Sequence, residues 1–328
     1  VVYDFDDDRL SRRIQTFVED YNQEVDRYRR TGKDAGIDDF VRYDKLKWSL
    51  MLKNKLAKFQ YADFNRARLR NSLYRPFTKQ VLFFDNVLVD APALFPAFFP
   101  GEKSETENRV IAVSDIGYRA KTFSTLVGDC VSDLHLCASV DGHQCFPLYV
   151  YDEDGGNRRE NITDWGLQEF RKHYRNKRIE KPDIFHYVYA VLHHPGYRQK
   201  YAENLRRQLP RIPFAPNFKA FSKAGEKLAK LHLEYERAEQ WNLRQMDSSE
   251  LPLSYRVEKM RLSKDKTQLH VNESLTLGDI PTEAFEYRLG NRSALEWVID
   301  QYQVSEDKRS GIRSDPNRAD DPEYIVRL

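Results

Sequence analysis

Residues 181–214 read KPDIFHYVYAVLHHPGYRQKYAENLRRQLPRIPF, a pattern that admits few structures. Pro182 suits the first turn of a helix, where no backbone donor is needed, and Asp183 can satisfy the free amides there. Ile184, Val188, Val191 and Leu192 then fall on one helical face, with Phe185 and Tyr189 beside them. His194-Pro195-Gly196 stops that helix, because proline cannot donate and glycine turns freely. Tyr197, Tyr201, Leu205 and Leu209 recur every four residues and predict the buried stripe of a second helix, ended by Pro210 and Pro213. Two short helices about a Pro-Gly turn make an αα corner. Arg198 falls inside the second stripe, so it needs a carboxylate or backbone carbonyls as partners.

The flanking segments follow other periods. Residues 3–8 are acidic and read as a tail or a join. Leu10, Ile14, Phe17, Val18, Tyr21 and Val25 predict a helix over 9–30, followed by a loop at 31–36. Trp48, Met51, Leu52 and Leu56 suggest another helix. From residue 73 short apolar runs appear at 80–84, 109–113, 134–138 and 146–151, bounded by Asp, Asn, Gly and Pro, and these read as strands. Residues 95–101 read as a hydrophobic loop, 101–108 as an exposed polar stretch, and 155–159 as a turn with a basic end. Residues 161–181 look helical with a basic end that includes Arg171, Lys172 and Arg175. Phe218, Phe221, Gly225, Leu228, His232 and Tyr235 form a heptad-like seam, too short for a coiled coil and suited to a packed helix. Residues 255–259, 268–271 and 285–289 alternate like strands, and Ser293 with Glu296 forms a capping box that opens a helix through Tyr302. Residues 305–328 read as a polar surface loop. The expected architecture is mixed α+β in four parts: a helical 1–72, a β-rich 73–180, a helical 181–247 and a strand/helix part at 248–328.

At 328 residues, with 40% hydrophobic and 32% charged side chains, the chain has room for two or three folded domains and lacks the signature of disorder. No apolar run approaches the ~18 residues that a membrane span needs. Cys130, Cys137 and Cys145 match no zinc-ligand spacing and are expected as reduced, packed thiols of a cytoplasmic protein. The chain opens on Val1 and its first methionine is Met51, so a fragment of a longer polypeptide is expected. No Gly-x-x-x-x-Gly-Lys-(Ser/Thr) phosphate loop and no glycine-rich strand–helix turn is present, and Pro182-Asp183, which begins like a nuclease motif, is not followed closely by Glu-x-Lys. His186 and His193 share a helix face with Asp183, a set that could hold a metal, but packing or capping is the expected role. No catalytic, cofactor-binding or metal-binding residue is therefore assigned.

Four stretches stand in a consistent order: Ser72-Leu73-Tyr74-Arg75-Pro76-Phe77, the run from His186 to Phe214, Glu296-Trp297-Val298-Ile299-Asp300-Gln301-Tyr302, and Gly311-Ile312-Arg313-Ser314-Asp315-Pro316-Asn317. Together they resemble the C-terminal specificity region of type ISP restriction-modification enzymes and of the large helicase–methyltransferase proteins related to them. The resemblance implies a target-recognition region that binds a specific duplex DNA sequence and presents a target adenine to an upstream N6-adenine methyltransferase domain, which takes the base by flipping. It also implies a helicase and a nuclease in the same polypeptide, with S-adenosylmethionine, ATP and Mg belonging to those other domains. Residues 1–72 would then continue from the methyltransferase. Such a methyltransferase carries an Asn-Pro-Pro-aromatic motif, which Ser314-Asp315-Pro316-Asn317 does not match. A scaffold that couples methyltransferase to translocase without touching bases is the other reading.

If DNA is the partner, Lys and Arg grip phosphates while Arg, Lys, Asn and Gln read base edges. Basic residues near turns are the candidates: Arg75 and Lys79 around Pro76, Arg119 and Lys121 after the turn at 114–117, and Arg158 and Arg159 in the loop at 155–159. Arg119, Lys121, Arg158 and Arg159 rank above the helix-end group, because loops on a rigid scaffold carry function more often than the scaffold does. A net charge of +2 neither supports nor excludes such a partner.

Overall fold

A computed structural model describes residues 1–31, 36–90, 92–137, 141–152, 154–308 and 310–328. Helix takes 38% and strand 17%, which is the mixed α+β class expected. The chain divides into two compact units: 1–72 with 79–96 and 306–314, and 73–78 with 97–305 and 315–328. Among the described residues no helix is long and apolar enough to cross a membrane.

The first unit is built on the helix Asp7–Thr31, with acids in its first turn and Arg29 and Arg30 in its last, as the helix dipole favours. Leu10, Ile14, Val18, Tyr21 and Val25 are buried at the expected spacing and pack with Phe40, Leu46, Trp48, Leu52, Leu56 and Phe83. Ser49 caps the helix Leu50–Ala57, accepting from Leu52 N at 3.0 Å. Residues 3–8 are not a tail. Tyr3 and Asp4 pair antiparallel with Leu82 and Val81, and the buried Asp4 is ion-paired to Arg9 and Arg13. Burial opposes ionisation of Asp4, yet these two guanidiniums hold its carboxyl below the usual range. The acidity that suggested solvent exposure is neutralised by the first turns of the following helix. Of the loop expected at 31–36, residues 32–35 lie outside the described residues.

The second unit centres on the predicted corner. The helix Lys181–His193 starts with a capping box between Glu180 and Asp183 and buries Ile184, Phe185, Tyr187, Tyr189, Ala190, Val191 and Leu192. The helix Phe218–Leu233 packs on it, burying Phe218, Ser222, Gly225, Ala229 and His232. They approach tightly at Gly225, where a β-carbon would sit 1.8 Å from the His186 carbonyl oxygen. Against this pair lies a three-stranded antiparallel sheet with Val110–Ser114 at its centre, flanked by Thr125–Gly128 and His143–Pro147. Ile111, Val113 and Val127 join Tyr187, Tyr189, Val191 and Phe218 in one core. A second antiparallel sheet runs Arg244–Asp247, Leu275–Gly278, Leu269–His270, Arg261–Leu262.

Several expectations are corrected here, each for a local reason. Residues 134–137 form a turn instead of a strand, because the Asp133 carboxylate captures His135 N at 3.0 Å; Ala138, the last residue of that expected strand, lies outside the described residues. The run at 146–151 splits at Leu148 into the ends of two strands. The stretch 101–108 is the helix Glu102–Glu107, and Asn108 after it is fully buried, its amide bridging the Phe98 and Tyr149 carbonyls at 2.9 Å each. Residues 95–101 include the short helix Phe95–Phe98. The basic-ended helix stops at His173, after which Arg175 takes φ +50° and Arg171 Nε donates to Ile179 O at 2.9 Å. The second arm of the corner is two helices, Pro195–Lys200 and Ala202–Arg207, broken at Tyr201, and Leu209 lies beyond them, 38% exposed. Residues 255–259 are irregular: the Asn317 side chain exchanges two hydrogen bonds of 2.8 Å with the Val257 backbone, taking the place of a strand partner. Residues 285–289 divide between the 3-10 turn Thr282–Phe285 and the strand Arg288–Leu289. Within 315–328, Tyr324 and Ile325 are buried on the helix Tyr324–Arg327. The capping box at Ser293 and Glu296 is present and opens the helix Ala294–Gln301.

Candidate nucleic-acid interface

At one end of the three-stranded sheet the chain reverses through residues 115–124, from Val110–Ser114 into Thr125–Gly128. This loop has little regular structure of its own, yet its backbone is tied down from three sides. The Asp141 carboxylate accepts from Arg119 N at 2.9 Å and Ala120 N at 2.8 Å. Asn291 Oδ1 accepts from Lys121 N at 2.9 Å, and Thr122 Oγ1 donates to Gly290 O at 2.9 Å. Arg206 donates to the Tyr118, Ala120 and Lys121 carbonyls, while its own carbonyl accepts from Gly117 N at 2.8 Å. Tyr118, Ala120 and Phe123 point into the core. The loop is thus a fixed platform, with the alternate side chains Arg119 and Lys121 turned outward.

The hairpin Gly290-Asn291 is the second support, joining Arg288–Leu289 to Arg292–Ser293. Gly290 has φ +65°, and a β-carbon there would lie 2.2 Å from the Cys137 carbonyl oxygen. The turn at 133–136 is the third. It is held by His143, whose Nδ1 meets Leu134 O at 3.0 Å and whose Nε2 meets Ser132 Oγ at 3.0 Å. Three loops therefore converge at this sheet end and present Ile116, Arg119, Lys121, Leu134, Gln144 and Asn291 to solvent.

The six candidate side chains do not all gather here. Arg119 is open, with a side chain 72% exposed and a 3.4 Å contact to Asp141. Lys121 stands beside it, exposed. Arg158 and Arg159 sit about half exposed where the loop at 155–159 meets the short strand Arg159–Glu160, facing Glu107 at 3.1 Å and Asp152 at 2.6 Å. Arg75 is turned inward: it pairs with Asp133 at 2.6 Å, its guanidinium lies 4.1 Å from the Tyr74 ring centroid, and its side chain is 16% exposed. Lys79 is half-buried on the strand Thr78–Phe83 of the first unit. The supporting residues Asp141 and Arg206 carried no sequence signal. Gly290-Asn291 carried a turn signal, since a glycine-led pair between short runs is a hairpin turn.

Behind the platform lies a buried chain of hydrogen bonds. Val127 N donates to Tyr189 Oη at 3.1 Å, so the Tyr189 hydroxyl donates onward to His232 Nδ1 at 2.6 Å. His193 Nδ1 lies 2.9 Å from Tyr189 O and its Nε2 lies 3.1 Å from Tyr287 Oη. A carbonyl only accepts, so His193 donates from Nδ1 and accepts at Nε2. Both rings are neutral in this arrangement. Burial, helped by the Arg198 charge, depresses His193 to about 3 and His232 to about 4. Arg198 finds the backbone partner expected of it, donating from Nε to Leu192 O at 2.6 Å. His193 and His232 are thus packing and hydrogen-bonding groups. Cys130, Cys137 and Cys145 are free thiols, and burial pushes Cys137 and Cys145 up to about 12.

The sequence matches the model of the Type ISP C-terminal specificity domain over residues 1–328. The chain belongs to this family. Solved structures agree with that assignment. The specificity domain superposes on a nuclease-deletion mutant of the Type ISP restriction-modification enzyme LlaGI in complex with a DNA substrate mimic, with a TM-score of 0.86 and 34% identity, covering 100% of this chain and 30% of that one. It is similar to DrdV in a DNA complex solved by cryoEM, at TM-score 0.84 and 32% identity, over 99% of this chain and 32% of that one. It is also similar to the ATP-dependent Type ISP enzyme LlaBIII bound to DNA, at TM-score 0.85 and 29% identity, over 99% and 21%. The specificity domain spans about a third or less of the length of these enzymes. A comparison with curated proteins gives no match.

Proposed function

We propose that this chain recognises a specific duplex DNA sequence on behalf of a restriction-modification enzyme. The observation that carries the reading is the family match over all 328 residues, joined to full-length similarity with enzymes described as bound to DNA. The loop platform gives it a physical basis. Arg119 and Lys121 grip phosphate, with Arg158 and Arg159 as further anchors, while neighbouring polar side chains reach base edges. Arg75 and Lys79 contribute less directly, since neither is well exposed. By analogy with the family, the recognised site presents an adenine to an N6-adenine methyltransferase domain that uses S-adenosylmethionine, and ATP and Mg serve a helicase domain of the same polypeptide.

The test is duplex binding across a salt series. Each phosphate contact contributes about 0.9 to the slope of log affinity against log salt. Arg119→Ala with Lys121→Ala is expected to flatten that slope by about 1.8. An unchanged slope would remove these two residues from the interface.

A further inference from the structure

Gln144 occupies an unusual place. It is exposed on the edge strand His143–Pro147, at the end of the sheet where the three loops converge. Its Cα partner on the central strand is Val113, a buried core residue, while Gln144 itself is exposed. An exposed glutamine is ordinarily free to rotate; this one is not. Gln144 Nε2 donates to Asp115 Oδ1 at 3.0 Å, and Asp115 is itself fixed, because the same oxygen accepts from Ile116 N at 2.7 Å. A carboxylate can only accept, so the amide must turn its NH2 toward Asp115. That sets which way the amide points and leaves Oε1 and the second amide hydrogen open. One acceptor beside one donor on a planar amide is the complement of the adenine edge in the major groove, N6–H and N7. Ile116 follows Asp115 in the chain and is 56% exposed, at the tip of the same loop. An isoleucine held in water gains by covering an apolar group, and the thymine methyl is the apolar group that an A·T pair offers there. Arg119 and Lys121, three and five residues further on, supply the positive charge a duplex requires beside such a reader.

We propose that Gln144 is a specificity-determining residue that reads the adenine of one A·T pair in the major groove, with Asp115 as the positioning residue that fixes its amide and Ile116 against the thymine methyl. This rests on the reading of the chain as a sequence-specific DNA binder. The test is selection from a pool of randomised duplexes, carried out on the whole protein with wild type, Gln144→Ala, Gln144→Glu and Asp115→Asn. Wild type should enrich a motif with a fixed adenine. Gln144→Ala should relax that one position and weaken binding to the wild-type motif about ten- to a hundredfold, the range for losing one bidentate base contact. Gln144→Glu should move the preference at that position from adenine to cytosine, since a carboxylate accepts from cytosine N4. Asp115→Asn lets the amide turn over and should blur the same position with less loss of affinity. The proposal is overturned if Gln144→Ala enriches the wild-type motif unchanged, or loosens every position alike, which is what a merely structural role would do. If wild type itself enriches no motif, the DNA-reading function fails, a result distinct from the failure of Gln144 alone.

Discussion

At the residue scale, the side chains that mark the family are mostly those that hold the fold. Trp297 of the Glu296–Tyr302 stretch donates from its indole to Leu289 O at 2.9 Å, and Asn317 clamps the Val257 backbone. Arg75, within the Ser72–Phe77 stretch, is committed to Asp133. These needs are local and steric, so they leave a sequence pattern. Arg119, Lys121 and Gln144 are exposed, and although Arg119 touches Asp141 and Gln144 touches Asp115, such surface positions leave no periodic pattern. The buried histidines make a prediction at this scale. An unfolded histidine titrates near 6.5, whereas His193 and His232 in the folded chain do so at about 3 and about 4. Between those values the unfolded chain binds protons that the folded one refuses, so stability is full above about pH 6.5 and falls as the pH drops toward 4. Denaturant midpoints at pH 7 and pH 5 should show that loss. His232→Asn keeps an acceptor near the Nδ1 position and cannot be protonated, so it should reduce the loss. An equal acid dependence in the variant would contradict the assignment.

At the scale of elements, the long helices and the strands at 80–84 and 109–113 were legible, and the shortest elements were not. Asp7–Thr31, Lys181–His193, Phe218–Leu233 and Ala294–Gln301 each follow a 3.6-residue period, and a capping side chain starts each of them. Thr125–Gly128 has four residues, too few to show alternation, and its place is set by the ladder it joins. The strand expected at 134–138 failed because an Asx turn at Asp133 competes with extension. Gly225 gives a prediction at this scale. Alanine normally stabilises a helix interior over glycine by about 1 kcal/mol. Here its β-carbon would meet the His186 carbonyl at 1.8 Å, so the two helices must part. Gly225→Ala should cost about 3 kcal/mol, the upper end for overpacking, read from the denaturant midpoint. Gly290→Ala, with φ +65° and a backbone oxygen 2.2 Å away, should displace the hairpin from the loop at 115–124. It should lower duplex affinity more than it lowers the melting temperature of the chain.

At the scale of the whole molecule, α+β was readable because helical and alternating periods are both present along the chain. The loop platform was not, because residues 115–124, 141 and 290–291 lie far apart in sequence and meet where Asp141 and Asn291 side chains accept from the Arg119 and Lys121 amides and Thr122 donates to the Gly290 carbonyl. Base protection on a bound duplex tests the central claim most directly, measured for wild type and for Arg119→Ala with Lys121→Ala. A short tract of protected bases, opening on the major-groove side, is predicted for wild type, with weaker and less steeply salt-dependent protection of the same tract in the variant. Binding that leaves every base unprotected, identical in both proteins, would show a scaffold that reads no sequence and would contradict the account.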